Sequence, residues 1–421
     1  HLVKLTLDLT KRCAMEIAII GAGAAGLAAA AALTKTHNVM VFEQSKDLGG
    51  LWQAQVDFKN TALYPSLRTN LPAALMAFLD FPFDPQLIPP EFGDYPGPKA
   101  VADYLKAFSE EKCLQPLIKF DHKVTSVTRH SSGWLIKFNA HTPLTADAIV
   151  VCNGHYTTPN LPLIAGLEHL ANPPRHAKHY VEPGDFAGQR VVVWGSNASG
   201  IDLVREISPQ ARAVFWCGHS DERSAFVSDL ENVSICADLE AVTSDGIVLR
   251  DKQLLTGIDE VLFCTGYQYD FPFLDSEIIK TEAHRVQGLY QQILAIQQPN
   301  LAFIGLPYLV VPFPLFQIQS QWLAKVFSGD VDLSRMPKRQ KTPRETSQRP
   351  PERSELDRGF HRLGDQQIGY LTNLIDEANL TDLPVNFIQM LKAAQRIKQR
   401  NPCHYRDIRL DLQDPAGPPL A

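Results

Sequence analysis

Two stretches of the chain follow one order of apolar and polar positions. Ile17-Ala18-Ile19-Ile20 is a short apolar run of buried-strand type that stops at Gly21-Ala22-Gly23-Ala24-Ala25-Gly26. An alanine-rich helix is predicted from about Leu27 to Thr34, and a second apolar strand, Val39-Met40-Val41-Phe42, ends on Glu43. Much later, Arg190-Val191-Val192-Val193-Trp194 runs into Gly195-Ser196-Asn197-Ala198-Ser199-Gly200, a helix start and the strand Ala213-Val214-Phe215-Trp216-Cys217.

The first loop fits a dinucleotide fingerprint. Its first glycine allows a tight turn, its second lets backbone approach a pyrophosphate, and its third lets the helix pack close on its strand. The helix N-terminus would turn its N–H groups and dipole toward the phosphates. Glu43 suits a free ribose 2′-hydroxyl, as in FAD or NAD, because a carboxylate there repels a 2′-phosphate. In the second loop Asn197 replaces the middle glycine, and asparagine is the residue after glycine that best tolerates left-handed backbone. Ser196 and Ser199 can add hydroxyl contacts to a phosphate. The strand ending at Cys217 lacks a terminal acid and runs into Gly218-His219-Ser220-Asp221-Glu222-Arg223, so a 2′-phosphate held by Arg223 is allowed. The bland alternative is a surface arginine paired with its acidic neighbours.

Elsewhere the pattern predicts an amphipathic helix over Lys99 to Lys112, with Val101, Tyr104, Leu105 and Phe108 on one face. Alternating strands are predicted at Val124 to Val127 and Trp134 to Phe138 around Ser131-Ser132-Gly133, and a buried strand at Ala148 to Val151. His155, in the loop after that strand, reads as packing or surface and is given no role. Pro159 to Gly166 marks a crossover. Asn300 to Leu306 returns a strand, followed by a helix from about Leu315 to Phe327 and helical patterns at Gln366 to Glu377 and Val385 to Arg400. Tyr64 to Pro72 is rich in turn formers, and an isolated Asn70-Leu71-Pro72 would ordinarily cap a helix beginning near Pro72.

Composition narrows the class. A chain of 421 residues is long for one core, so two compact units are expected. Hydrophobic content of 45%, charged content of 20% and net charge −6 describe an ordinary globular protein and give no sign of a nucleic-acid partner. The 7 cysteines are scattered without a CxxC pair, which argues against a disulfide framework, a zinc site or a dithiol reductase centre. No apolar run is long enough to cross a bilayer. Residues 1 to 14 precede Met15 as an extension lacking the apolar core of a secretory signal. No G-x-S-x-G elbow or acid/base dyad is visible, whereas a cofactor enzyme needs little of either.

Four stretches resemble the flavin-containing monooxygenases: Gly49-Gly50-Leu51-Trp52, Thr69-Asn70-Leu71-Pro72 followed by Phe78-Leu79-Asp80-Phe81-Pro82-Phe83, the second glycine loop with Ile201-Asp202, and Thr265-Gly266-Tyr267. The resemblance spans Met15 to about Asp411 and implies an α/β fold of two dinucleotide-binding Rossmann-like domains, the NADP domain inserted into the FAD domain. The boundaries expected are 15–162 and 291–421 for FAD, 163–290 for NADP, and an exposed loop at about 335–358. It implies FAD along Gly21, Gly23, Ala24, Ala25, Gly26, Glu43, Gly50, Leu51, Trp52, Thr69, Val124 and Gln317. NADPH is implied along Gly195, Ser196, Asn197, Ser199, Gly200 and Arg223, with Thr265, Gly266 and Tyr267 as the interdomain linker. Asn70 is implied beside the flavin ring as the catalytic side chain. In Leu170 to Tyr180, His176 and Tyr180 keep the spacing of a further family stretch, and the tyrosine is similar to that of the N- and S-oxygenating members.

The implied activity is transfer of one oxygen atom from a C4a-hydroperoxyflavin to a nitrogen or sulfur atom of a small nucleophile. The partners expected are an amine or sulfur substrate and molecular oxygen, with no nucleic acid and no integral membrane segment. A cytoplasmic location is expected, with a homodimer as one assembly. The alternatives are an uncoupled NADPH oxidase, a Baeyer–Villiger or N-hydroxylating enzyme on the same fold, and a non-catalytic flavin-binding protein.

Overall fold

The computed structural model describes residues 14–54, 57–219, 221–282, 284–336 and 359–410. The charged loop expected at 335–358 therefore lies almost wholly outside the described residues, as does most of the N-terminal extension.

The chain begins with β1 (Glu16–Ile20), whose last four side chains are buried, and passes through the glycine loop into α1 (Ala24–Leu33). That helix is apolar all round, as a helix covered on every side must be, and it packs between the sheet and a later helix. β2 (Asn38–Phe42) returns parallel to β1, with Ile20 opposite Phe42. After α2 (Pro98–Glu111) come β3 (Ile118–Lys119), the three-stranded antiparallel layer of β4 (Val124–His130), β5 (Gly133–Phe138) and β6 (Leu144–Ala146), and β7 (Ala148–Val151). The short β8 (Thr158–Pro159) then leaves for the second unit.

That unit holds β9 (Arg175–His176), β10 (Arg190–Trp194), α3 (Ala198–Ile207), β11 (Ala213–Cys217) and β12 (Val233–Cys236). A small antiparallel sheet, β13 (Leu239–Thr243), β14 (Gly246–Leu249) and β15 (Leu254–Leu255), follows, and then β16 (Glu260–Phe263). The main sheet is parallel throughout, in the order β12-β11-β10-β16-β9. The chain goes back through β17 (Tyr267–Gln268), which pairs antiparallel with β8, so the two crossovers form one ribbon. After the hairpin of β18 (Thr281–Glu282) and β19 (Arg285–Val286), β20 (Leu289–Tyr290), β21 (Leu294–Ala295) and β22 (Leu301–Phe303) complete the first sheet, β20-β21-β22-β7-β1-β2-β3. Among the described residues three longer helices follow: α4 (Pro312–Phe327), α5 (Gln367–Ala378) and α6 (Val385–Arg400).

Buried histidines make this assembly pH-sensitive, His361 above all. His361 is 0% exposed; the Val286 N–H donates to its Nε2 at 2.9 Å, and its Nδ1 lies 2.9 Å from Gln292 Oε1. An Nε2 that accepts a backbone N–H cannot carry a proton, and burial pushes the pKa from the ordinary 6.5 down to about 3. The folded state thus binds fewer protons than the unfolded chain. The stabilisation is complete above the unfolded value and is lost as pH falls below it toward 3. Between pH 7 and pH 5 we expect its share of the loss to be about 2 kcal/mol, read as a fall in denaturant midpoint that is smaller in His361→Gln than in the parent protein.

Candidate functional site

The two glycine loops stand at the carboxyl ends of the parallel strands of the two sheets, where open α/β sheets take ligands. They are built alike. Gly21 has φ 104° and Gly195 φ 136°, a region that excludes ordinary side chains. A Cβ on Gly26 would come 1.9 Å from Gly21 O, and one on Gly200 2.0 Å from Gly195 O, so the third glycine is demanded by the close approach of helix to strand. The middle positions differ from expectation. Gly23 takes φ −75°, ψ −176° and Asn197 φ −91°, ψ −171°, both extended. Tolerance of left-handed backbone is therefore not why asparagine can stand at 197, because neither loop bends that way at this position.

That geometry also tests the fit of a dinucleotide. A Cβ on Gly23 would meet nothing closer than Gly50 Cα at 3.4 Å, an ordinary contact, so the protein itself does not require glycine there. The space it keeps open suits a phosphate approaching the N-terminus of α1. Gly49 N–H donates to Ala22 O at 2.9 Å and Gly23 bridges to Gly49, which lays Gly50, Leu51 and Trp52 alongside the loop. Glu43, 4% exposed, accepts from the Ala22 N–H at 2.8 Å and from the N–H and hydroxyl of Ser45 at 2.9 and 2.7 Å. The carboxylate is thereby locked against the loop at the end of β2.

In the second loop the buried Ser196 Oγ has no hydrogen-bond partner among the described residues, and it sits against Gly218. An orphaned hydroxyl in a phosphate-type loop fits a phosphate oxygen. Asn197 is exposed at the N-terminus of α3, and Ser199 is partly buried one residue into the helix. The Trp216 indole N–H donates to Gly195 O at 2.8 Å and the Trp194 indole N–H to Asp238 Oδ1 at 2.9 Å. Asp238 also pairs with His219.

Arg223 departs from the bland alternative. It is not a surface arginine: only 5% exposed, it donates to the carbonyls of Trp216, of Gly218 at 2.8 Å and of Cys236 at 3.0 Å, tying the ends of β11 and β12 together. Replacing it with Met should lower the stability of the coenzyme unit by about 2–4 kcal/mol and weaken NADPH and NADH alike. A binding titration in which NADPH alone suffers would restore the 2′-phosphate role.

Gln317 is likewise held within the protein. Its Oε1 accepts from Leu79 N–H at 2.6 Å and its Nε2 donates to Asp80 Oδ1 at 2.7 Å, fixing the aromatic corner of residues 78–83. Gln319 does the same for the loop after β22, accepting from Gly305 N–H at 2.9 Å. Thr69 is buried, with its hydroxyl donating to Leu71 O at 2.7 Å and its N–H to Pro96 O at 3.0 Å. Asn70 next to it is exposed and caps no helix, because residues 72–76 make one turn only. Val124 is buried at the start of β4, in the cluster that contains Phe42. Thr265 Oγ1 donates to Asn160 O at 2.6 Å, and Gly266 O accepts from Asn160 N–H at 2.9 Å. His176 Nε2 lies 3.0 Å from the same carbonyl, and Tyr267 stands on β17. These residues, with His176, form the interdomain ribbon. Tyr180 donates its hydroxyl to Glu206 at 2.6 Å, inside the second unit.

His155, given no role from the sequence, lies at the ligand edge of the first sheet. It follows Gly154 at the carboxyl end of β7, its ring centroid 4.4 Å from Tyr156 and 5.1 Å from Tyr269, and its buried Nε2 has no partner among the described residues. Burial lowers its pKa to about 4, so the ring is neutral. Its signal was position: a hydrogen-bonding side chain just past a central strand, at the ligand edge of the sheet. Tyr156, 47% exposed, and Tyr267 extend an aromatic rim from it toward the ribbon, 5.6 Å apart.

Two dinucleotide-type loops on two parallel sheets, one unit inserted in the other through a paired ribbon, define a flavoprotein with separate FAD and coenzyme domains. The chain belongs to the family described as Flavin-binding monooxygenase-like, matched over residues 14–227 and 230–410. It is 33% identical to the flavin-containing monooxygenase FMO GS-OX1 of Arabidopsis thaliana over 94% of this chain and 92% of that one. FMO GS-OX-like 7 of the same plant is 35% identical over 76% of this chain and 74% of its own length. Among solved structures, S-allyl-L-cysteine S-oxygenase from Allium sativum superposes with TM-score 0.81 at 29% identity, covering 96% of this chain and 97% of that one. Tmm from Pelagibacter sp. strain HTCC7211, at 22% identity and TM-score 0.73 over 93% and 92% of the two chains, shares the fold. The protein is an FAD- and NADPH-dependent monooxygenase.

Proposed function

We propose that this enzyme oxygenates the sulfur of a small thioether, the single carrying observation being its end-to-end likeness to an S-oxygenase. FAD bound along the first loop supplies the activation of oxygen. The chain's own residues bind, orient and exclude water. Gly23 and the N-terminus of α1 take the pyrophosphate, Glu43 faces the ribose, Gly50 to Trp52 line the cofactor, and Ser196 with the N-terminus of α3 takes a phosphate of NADPH. Residues 15–162 and 291–421 make the FAD unit and 163–290 the coenzyme unit on this reading.

The neutral His155 and the tyrosine rim offer the substrate an uncharged aromatic surface, which suits a thioether sulfur. A tertiary amine is the second reading, favoured by the same rings through cation–π attraction. Thioether-dependent NADPH consumption that yields sulfoxide, against the same assay with a tertiary amine, decides between them. NADPH consumption that ignores both would sink the proposal.

Asn70 presents its amide to the oxygen-transfer step, with Thr69 fixing the backbone before it. Asn70→Ala is expected to keep FAD and to lose oxygenation roughly hundredfold, with NADPH oxidation diverted to hydrogen peroxide. An unchanged ratio of product to NADPH would remove Asn70 from the mechanism. The reading extends to the cytoplasm, supported by the six free cysteines among the described residues, Cys113, Cys152, Cys217, Cys236, Cys264 and Cys403, and to a homodimer, which sedimentation would detect. No helix among the described residues is long and apolar enough to cross a membrane.

A further inference from the structure

Cys217 closes β11 and Cys236 closes β12, and the parallel register sets them directly opposite one another. Side chains paired in this way leave the sheet on the same face, and both lie in one apolar cluster with Val192, Leu239 and Phe263. Neighbouring strands run about 4.8 Å apart, within the Cα window of about 4.4–6.8 Å that a disulfide spans. Each thiol donates to a carbonyl of its own strand, Cys217 Sγ to Phe215 O at 3.8 Å and Cys236 Sγ to Ser234 O at 3.6 Å. None of the four other described cysteines is register-paired with another.

We propose that Cys217 and Cys236 are a modification site: a dithiol that hydrogen peroxide oxidises to a disulfide, weakening the coenzyme unit's hold on NADPH. The Cys236 sulfur attacks one peroxide oxygen, giving a sulfenic acid and one water. Cys217 sulfur then displaces hydroxide from Cys236 sulfur, which leaves as the second water with the Cys217 proton. Two thiols and one peroxide give one disulfide and two waters, the sulfurs losing the two electrons that reduce the peroxide. The neighbouring Cys217 and the Arg223 charge hold Cys236 below the ordinary thiol value, and Cys236 is the less deeply buried of the two, which makes it the attacking sulfur. Cys217 is 0% and Cys236 6% exposed, so the pair suits a small oxidant rather than a bulky one.

The consequence for the coenzyme rests on reading the second loop as its site. Arg223 holds the carbonyls of Trp216, Gly218 and Cys236, and Gly218 packs on Ser196. Drawing the sulfurs to bonding distance shifts both strand ends and this guanidinium together, and the shift reaches the loop through Gly218. A monooxygenase that loses its oxygen as peroxide would then lose its electron donor.

The test uses the holoenzyme with Cys13→Ser, Cys113→Ser and Cys403→Ser, which removes the more accessible of the described thiols and the one outside the described residues. Peroxide treatment should give a Cys217–Cys236 cross-linked peptide lighter by two hydrogens. It should also weaken NADPH binding, read by coenzyme fluorescence, about tenfold or more, and a thiol reductant should reverse both. Adding Cys236→Ser should abolish the response, and Cys217→Ser checks this in case that variant folds poorly. Peptide maps showing both thiols free after peroxide, or a disulfide that leaves NADPH affinity unchanged, overturn the proposal. A reduced holoenzyme that binds no NADPH overturns the coenzyme reading and the regulatory consequence with it, while the peptide map still decides the bond.

Discussion

Gly23→Ala should give a stably folded protein that no longer retains FAD, while Gly26→Ala should scarcely fold. The two substitutions add the same methyl group three residues apart, and the surroundings decide the outcome. At Gly23 the nearest heavy atom to an added Cβ is 3.4 Å away and the backbone is extended, which alanine adopts freely. Loss of glycine at a helix N-cap costs under about 1 kcal/mol. The methyl group instead occupies the space kept for the pyrophosphate, so flavin content of the purified protein should collapse while the melting temperature of the apoprotein barely moves. At Gly26 the Cβ would sit 1.9 Å from Gly21 O and 2.9 Å from Gly21 C, backbone atoms that cannot swing aside. Forcing α1 off β1 in the centre of the core should cost about 3 kcal/mol or more. Visible absorbance and thermal melting on the two variants read both effects. A Gly23→Ala protein that stays yellow would contradict the placement of the cofactor.

Arg406→Met should destabilise the enzyme by about 3–5 kcal/mol, the cost of leaving the other half of a buried ion pair alone. The Arg406 guanidinium, 18% exposed, holds both oxygens of Asp202 at 2.9 and 2.8 Å and donates from Nε to Thr69 O at 2.9 Å. Asp202 lies on α3, immediately behind the coenzyme loop, and Tyr64 O–H also donates to it at 3.1 Å. One side chain near the C-terminal end thus joins the coenzyme helix to the backbone just before Asn70. Asp202→Asn should weaken the same joint less, because the amide keeps one acceptor. Because Thr69 is released too, the fraction of NADPH converted into oxygenated product should fall along with the melting temperature. A double variant, Arg406→Met with Asp202→Leu, should recover part of the lost stability, since no charge is then left buried.

What could be read in the chain before folding was local. β10 and β11 fall where the apolar runs place them, and α6 spans the stretch the helical pattern marks, because periodicity and burial report on the same neighbours. α4 begins at Pro312, earlier than the pattern suggests, since proline at the first helical positions loses no hydrogen bond. Glycine fingerprints are legible for a steric reason, and both loops obey it at their first and third positions. The burial of Arg223 was not legible because its partners are carbonyls on two strands, and only their pairing makes a nest for the guanidinium. Gln317, which the resemblance sets along FAD, bonds to the turn at Leu79, far away in sequence. The joint at Arg406 and the thiol pair at Cys217 and Cys236 depend on contacts that no spacing rule encodes. His155 was read as packing or surface, and the sequence could not show that its buried Nε2 has no partner among the described residues, a property of the fold rather than of the residue.

The most direct test is the balance of one reaction: the yellow protein, NADPH, oxygen and a thioether, with NADPH consumed, sulfoxide formed and hydrogen peroxide released all measured together. The assignment of FAD to the first loop, NADPH to the second and oxygen transfer to the rim between them predicts sulfoxide in nearly equal amount to NADPH, with little peroxide. NADPH consumption unaffected by the thioether, with all the oxygen recovered as peroxide, would contradict it.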